Sequence, residues 1–208
     1  MNDIIRILVV DDNQLMRRGL IGSLEIEPDL KVIGEAASGE EALDFIKQET
    51  PDVITMDYQM PGDNGVVTCR KILEQLPEAR IILLSVFDSE EDVWQAVRAG
   101  VKGYLTKKSG DADELLEAIR NVALGGDYFP PVIARKLEDR LKQPDLTKRE
   151  MEILKLLAEG NTNKEMAEIL GISDVTVKLH LSNLREKLGA VDRTQAVVLA
   201  YKKGILHI

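Results

Sequence analysis

The chain has one cysteine and two histidines in 208 residues, and no apolar run approaches the eighteen or so residues needed to cross a bilayer. A lone Cys69 excludes an internal disulfide. On a predicted helix it reads as a small packing residue, in keeping with a reducing cytosol. The opening MNDIIRILVV has no basic region before its apolar run, and the run ends at Asp11. Neither secretion nor membrane insertion is expected, and a cytoplasmic location is. With His180 and His207 as the only histidines, no histidine-based metal site is expected; His180 reads as a packing or phosphate-contact residue.

What is present is ordinary in amount and uneven in distribution. The chain is 44% hydrophobic and 30% charged, enough for one large core or two small ones. Residues 1–125 hold 13 Lys and Arg against 24 Asp and Glu, or −11, whereas residues 126–208 hold 14 against 12, or +2. An acidic front and a mildly basic back suit two domains with different partners.

The front alternates strand and helix patterns. Apolar runs at 4–10, 30–36, 52–56, 80–86 and 103–106 are each followed by an amphipathic segment of helix length, with Pro51, Gly100 and Gly103 among the turn residues. Such alternation predicts a parallel α/β sheet with right-handed crossovers, helices on both faces, and ligands at the carboxyl ends of its strands. Asp11 and Asp12 close the first strand, Asp57 closes the third before the loop of Pro61, Gly62 and Gly65, Ser85 lies near the end of the fourth, and Lys107 closes the fifth. Singly each has a plain reading: Asp11 or Asp12 as a cap for the helix near Gln14, Ser85 as a strand-end polar residue, Lys107 as solvated surface. Together they suit a hard-cation site, because magnesium prefers one or two carboxylates plus waters and phosphate oxygens. A carboxylate there can attack phosphorus to give an acyl phosphate, with Lys107 offsetting phosphoryl charge and Ser85 donating a hydrogen bond.

The stretches LVVDD, TMDYQMPGDNG, LLSVF and GYLTKK resemble the receiver domain of bacterial two-component response regulators over about the first 125 residues. The resemblance implies a flavodoxin-like, five-stranded parallel sheet of order 2-1-3-4-5. In it Asp57 accepts a phosphoryl group from a sensor histidine kinase, and Asp11, Asp12, Asp57 and the Gln59 backbone carbonyl hold Mg2+. Lys107 would contact the phosphoryl group, while Ser85 and Tyr104 match the hydroxyl and aromatic switch positions. Haloacid-dehalogenase-like phosphatases also use a strand-end aspartate, but they need a second aspartate where this chain has Gln59. The expected chemistry is therefore self-phosphorylation and self-dephosphorylation only, without enzymatic turnover.

Residues 1–124 are thus expected to form the receiver, 125–145 a linker with turn chemistry at both ends and a short, charged middle of helix-compatible pattern from Val132 to Lys142, and 146–208 an all-helical domain. In the last part, a capping box at Thr147 and Glu150 opens one helix that stops at Gly160, a short second helix ends at Gly171, and a longer third begins at Ser173 or Asp174 and runs to Gly189. A short helix, a tight turn containing Gly and a longer helix form a helix-turn-helix signature. On the third helix Val177, Leu181, Leu184 and Leu188 make a buried stripe, leaving Lys178, Leu179, Ser182 and Arg185 largely on the other side. In a major groove, Leu179 can meet a thymine methyl while Lys178 reaches a guanine edge or a phosphate.

LTKREMEILKLLAEG, NKEMAEILGIS, TVKLHLSNLREKLG and DRTQAVVLA resemble the four-helix DNA-binding domain of the NarL/FixJ, LuxR-type family. The resemblance implies that Lys178, Leu179 and Ser182 occupy base-reading positions. It also implies that the last helix, around Arg193 to Lys202, forms a dimer contact through Val197, Val198 and Tyr201; the plain alternative is that its apolar stripe only completes the core. Some relatives carry a basic residue at position 182, so serine suggests a distinct sequence preference. The expected whole is a transcription factor whose binding to double-stranded promoter repeats and whose homodimerisation follow phosphorylation of Asp57. RNA polymerase is a further expected partner. An interaction module resembling the end domain of sigma factors is the alternative for the helix-turn-helix.

Overall fold

A computed structural model describes residues 4–107 and 112–206. Its contacts divide the chain into two compact units, one within residues 1–88 and 93–135, the other within 89–92 and 136–208.

The first unit is a parallel five-stranded sheet of order β2-β1-β3-β4-β5, built from β1 (Ile5–Val10), β2 (Leu30–Ala36), β3 (Val53–Asp57), β4 (Ile81–Ser85) and β5 (Gly103–Thr106). Helices α1 (Gln14–Leu24), α2 (Gly39–Ile46), α3 (Gly65–Gln75), α4 (Glu90–Ala99) and α5 (Ala112–Ala123) alternate with the strands. Every residue of β3 and β4 is buried, as expected for central strands covered on both faces. Ile7, Val9, Val53, Ile82, Leu84 and Leu105 pack with Leu115, Ile119 and Val122 of α5 in one core cluster. Because β1 has β2 on one side and β3 on the other, the strand order reverses between β1 and β3. That is where open sheets of this order leave a crevice beyond the carboxyl ends of their strands.

β2 and β5 have the bounds expected from sequence, β1, β3 and β4 differ by a residue, and the helix after β1 is capped by neither Asp11 nor Asp12. Asn13 caps it, its side chain accepting from the N–H groups of Leu15 and Met16. Both aspartates are thereby released for other work. The start of the segment expected as linker is stitched to the sheet edge: Tyr128 N–H donates to the Lys102 carbonyl at 2.8 Å, and Tyr104 N–H donates to the Tyr128 carbonyl at 3.1 Å. Helix α6 (Pro131–Leu141) follows. Pro131 opens it, at the first helical position, where the N–H it lacks would have had no partner within the helix.

The second unit contains α7 (Lys148–Ala158), α8 (Asn163–Leu170), α9 (Asp174–Leu188) and α10 (Arg193–Lys202). Capping boxes open both α7 (Thr147 with Glu150) and α8 (Thr162 with Glu165), and Ser173 caps α9. The turn between α8 and α9 rests on Gly171, whose φ of 64° is left-handed and therefore favours glycine. Ile153, Leu154, Leu157, Met166, Val177, Leu181, Leu184, Leu188, Ala196 and Ala200 form the core, so the stripe expected on α9 is the buried one.

Candidate functional site

Sheet register sets the first site. Asp57 ends β3 opposite Leu84, Ser85 ends β4 opposite Thr106, and the Lys107 N–H donates to the Ser85 carbonyl at 2.7 Å, one residue past β5. On the far side of β1, the Asp11 N–H donates to the Ala36 carbonyl at 3.1 Å. The sheet ladders thus carry Asp11, Asp57, Ser85 and Lys107 to one edge. Carboxylate oxygens of Asp11, Asp12 and Asp57 lie within 4.8 Å of one another. Asp11 and Asp57 are buried and Asp12 is exposed.

Lys107 Nζ stands 2.9 Å from an oxygen of Asp11 and 2.9 Å from one of Asp57. Burial pushes the Asp57 carboxyl above the usual carboxylate range, against the opposing pull of Lys107. Burial works against the Lys107 ammonium, but its hydrogen bonds to Asp57 and Asp11 outweigh that and raise its pKa. The arrangement is a desolvated carboxylate crowded by its own kind and relieved by one cation. Three oxygen-ligand side chains with this spacing suit a hard divalent cation, whose charge would relieve the same crowding.

Ser85 and Tyr104 meet on the backbone of one residue. Ser85 Oγ accepts from the Phe87 N–H at 2.9 Å, and the Tyr104 hydroxyl donates to the Phe87 carbonyl at 2.7 Å from a fully buried ring. The Phe87 ring lies edge-on to Tyr58, with centroids 5.6 Å apart. Gln59 is exposed, and its N–H reaches an Asp57 carboxylate oxygen at 3.3 Å.

Three features of this site were not found in the sequence. Arg17 donates to the Asp11 carbonyl at 2.7 Å and pairs with Glu35 at 2.7 Å, holding the aspartate loop. Gly65 lets α3 start against β3: its N–H donates to the Tyr58 carbonyl at 2.8 Å, and a Cβ there would stand 2.1 Å from the Asp57 carbonyl oxygen. The Phe87 main chain is the third, and being backbone it leaves no mark in the side-chain pattern.

The second site is the exposed side of α9. Lys178, Leu179 and Ser182 are exposed; Arg185 is half-buried, its guanidinium 3.4 Å from the Val191 carbonyl. Lys178 Nζ pairs with Asp174 at 2.6 Å one turn earlier. His180 is half-buried, while His207 lies outside the described residues. On α10 the residues expected at a dimer contact separate: Val197 packs against the domain core, whereas Val198 and Tyr201 are 46% and 38% exposed on one face.

Among the described residues no helix is long and apolar enough to cross a membrane. Residues 7–120 match the response regulator receiver domain, and residues 144–200 match the bacterial regulatory proteins of the luxR family. The chain is 40% identical to the transcriptional regulatory protein LiaR of Bacillus subtilis, with 98% of this chain and 100% of LiaR covered. It is 37% identical to the transcriptional regulatory protein DegU of Brevibacillus brevis, with 98% of this chain and 96% of DegU covered. In fold it is similar to a solved structure of the Salmonella typhimurium RcsB response regulator, with a TM-score of 0.73 at 23% identity over 95% of this chain and 99% of that one.

Proposed function

The chain belongs to the bacterial transcriptional response regulators that join a receiver domain to a luxR-type DNA-binding domain, and on that premise we propose that phosphorylation of Asp57 by a sensor histidine kinase controls its dimerisation and its binding to repeated promoter sites. The observation that carries this reading is Asp57 itself. Its buried carboxylate stands at the exit of a core strand, 2.9 Å from Lys107 and grouped with Asp11 and Asp12.

The Asp57 carboxylate attacks the phosphorus of a phosphohistidine, so that an O–P bond forms as the N–P bond breaks and the electron pair leaves with the imidazole. Lys107 moves from sharing two carboxylates to facing the phosphoryl oxygens, and Ser85 turns its hydroxyl proton toward one of them. Asp11, Asp12, Asp57 and the Gln59 carbonyl would hold Mg2+, which when bound would offset charge on the phosphoryl oxygens. Ser85 and Tyr104 bond the N–H and the carbonyl of the same residue, Phe87, so a hydroxyl drawn to phosphate pulls on the backbone that also holds the buried ring. Besides transfer from the kinase, the site takes phosphoryl groups from small phosphodonors and slowly hydrolyses its own acyl phosphate, without turning over other substrates, in a cytoplasmic protein that works on DNA beside RNA polymerase. On the DNA, Lys178, Leu179 and Ser182 face base edges while Arg185 faces a phosphate.

The test is selection of sites from a randomised duplex pool by the full chain, with and without magnesium and acetyl phosphate, alongside Asp57→Ala. Enrichment of a repeated motif only by phosphorylated wild type is the expected result. Equal enrichment by all samples would discard phosphate control, and enrichment by none would move the helix-turn-helix to a protein-binding role.

A further inference from the structure

The buried stripe of α9 has a counterpart on its opposite side. Val177, Leu181, Leu184 and Leu188 recur at four, three and four residues and are buried. Val175, Leu179, Ser182 and Glu186 repeat the same intervals two residues earlier, hence about 200° away around a helix of 3.6 residues per turn. All four are exposed. The line farthest from the domain core therefore begins with two aliphatic side chains, Val175 at 74% exposure and Leu179 at 59%. Lys178 lies beside them, between one and the other in sequence, and supplies the positive charge that a polyanion would meet.

A single exposed aliphatic residue is ordinary. Two at an i, i+4 spacing, on the amino-terminal half of the second helix of a helix-turn-helix, occupy the part of that motif that contacts base edges. Valine also has poor helix propensity, so local helix stability gives no reason for it at the second position of α9. Cβ atoms at i and i+4 are about 5–6 Å apart on a helix, whereas bases along a strand rise about 3.4 Å per step. The pair thus spans one to two base steps. The only apolar group on a base edge in the major groove is the thymine C5-methyl.

We propose that Val175 is a specificity-determining residue that acts with Leu179 as a paired thymine-methyl reader, selecting sites with two thymine methyls one or two base steps apart next to the base or phosphate met by Lys178. The inference rests on the DNA-binding reading above and deepens it. Val175 brings only an apolar contact and Lys178 brings the charge, so the two contributions separate: removing the valine side chain changes which sequence is bound, not how strongly DNA in general is held.

The experiment uses the full chain treated with magnesium and acetyl phosphate, bound to the duplex that the wild type selects. Each thymine of that duplex is replaced in turn by deoxyuridine, which lacks only the methyl. Wild type is expected to lose about three- to fivefold in affinity at each of two positions, the value of one buried methyl-sized group. Val175→Ala and Val175→Ser are expected to abolish the loss at one position, with unchanged melting temperature and unchanged salt dependence, and Leu179→Ala to abolish the loss at the other. Deoxyuridine effects identical in wild type and both Val175 variants would overturn the inference while leaving DNA binding intact. A uniform loss on every duplex would overturn it too, since Val175 would then place the helix rather than read a base. Failure of the wild type to select any duplex would remove the DNA-binding reading and this inference together.

Discussion

A Cβ at Gly65 would meet the Asp57 carbonyl oxygen at 2.1 Å and its carbonyl carbon at 3.0 Å. Both are backbone and neither can swing aside as a flexible side chain can. Gly65→Ala is therefore expected to cost about 1–3 kcal/mol and to shift the start of α3 or the exit of β3. A urea melt reads the first effect and the rate of Asp57 labelling by acetyl phosphate the second; an unchanged midpoint with unchanged labelling would refute the close approach. The position reads in sequence as loop glycine, because what it meets lies seven to eight residues back in the chain. Asp11, Asp12, Asp57, Ser85 and Lys107 were legible for a different reason: each interrupts or ends an apolar run, and a parallel sheet brings all such ends to one edge. Arg17 left no such mark. It acts from the end of the first turn of α1 through its guanidinium on the Asp11 main chain, and an arginine on a helix is what any surface supplies.

Helix α7 shows how one element is fixed at its start. Glu150 closes the capping box with Thr147, accepts from Lys187 of α9 at 2.7 Å, and is buried. Burial alone would raise its pKa, but the Lys187 ammonium and the Thr147 N–H and hydroxyl outweigh it and hold the carboxyl below the usual glutamate range. A carboxyl depressed in the folded state contributes stability that is present above its unfolded pKa, about 4.3, and is lost as pH falls through the lower folded value. The helical domain of the wild type is thus expected to lose stability below about pH 4.3, and Glu150→Gln should flatten that part of the curve. Glu150→Ala removes cap and ion pair together and is expected to cost roughly 3 kcal/mol at neutral pH. Thermal melts from pH 3 to pH 7 followed by far-ultraviolet circular dichroism check both variants; identical acid limbs for wild type and Glu150→Gln would contradict the assignment. The capping spacing made this helix start legible in sequence, but the partner on α9 was not, since a contact 37 residues away has no local signature. Pro131 is the converse case: as local punctuation it marks the edge of a turn, yet it is itself the first residue of α6.

At the scale of the whole molecule, the acidic front and basic back foreshadowed two compact units, and in the proposed function they are coupled through the oligomeric state on DNA. Two helix-turn-helix domains reach successive major grooves only when their half-sites lie about 10 base pairs apart. The residues that join them must be exposed in each protomer. Val198 and Tyr201 meet that condition on α10 and Val197 does not, because it packs on its own core. The apolar pattern of α10 could not separate these roles, since the same residues serve a core or a partner according to which face the neighbouring helices cover. Val198→Glu and Tyr201→Ala are expected to abolish cooperative occupancy of a two-half-site duplex while leaving binding to a single half-site and the melting temperature unchanged. Val197→Ala should instead lower domain stability by about 1–2 kcal/mol with cooperativity retained. Sedimentation of the phosphorylated full chain on one-site and two-site duplexes distinguishes the cases. Two protomers still loading together in Val198→Glu would exclude this face of α10 as the contact, and the pairing would then have to be made by another surface of the chain.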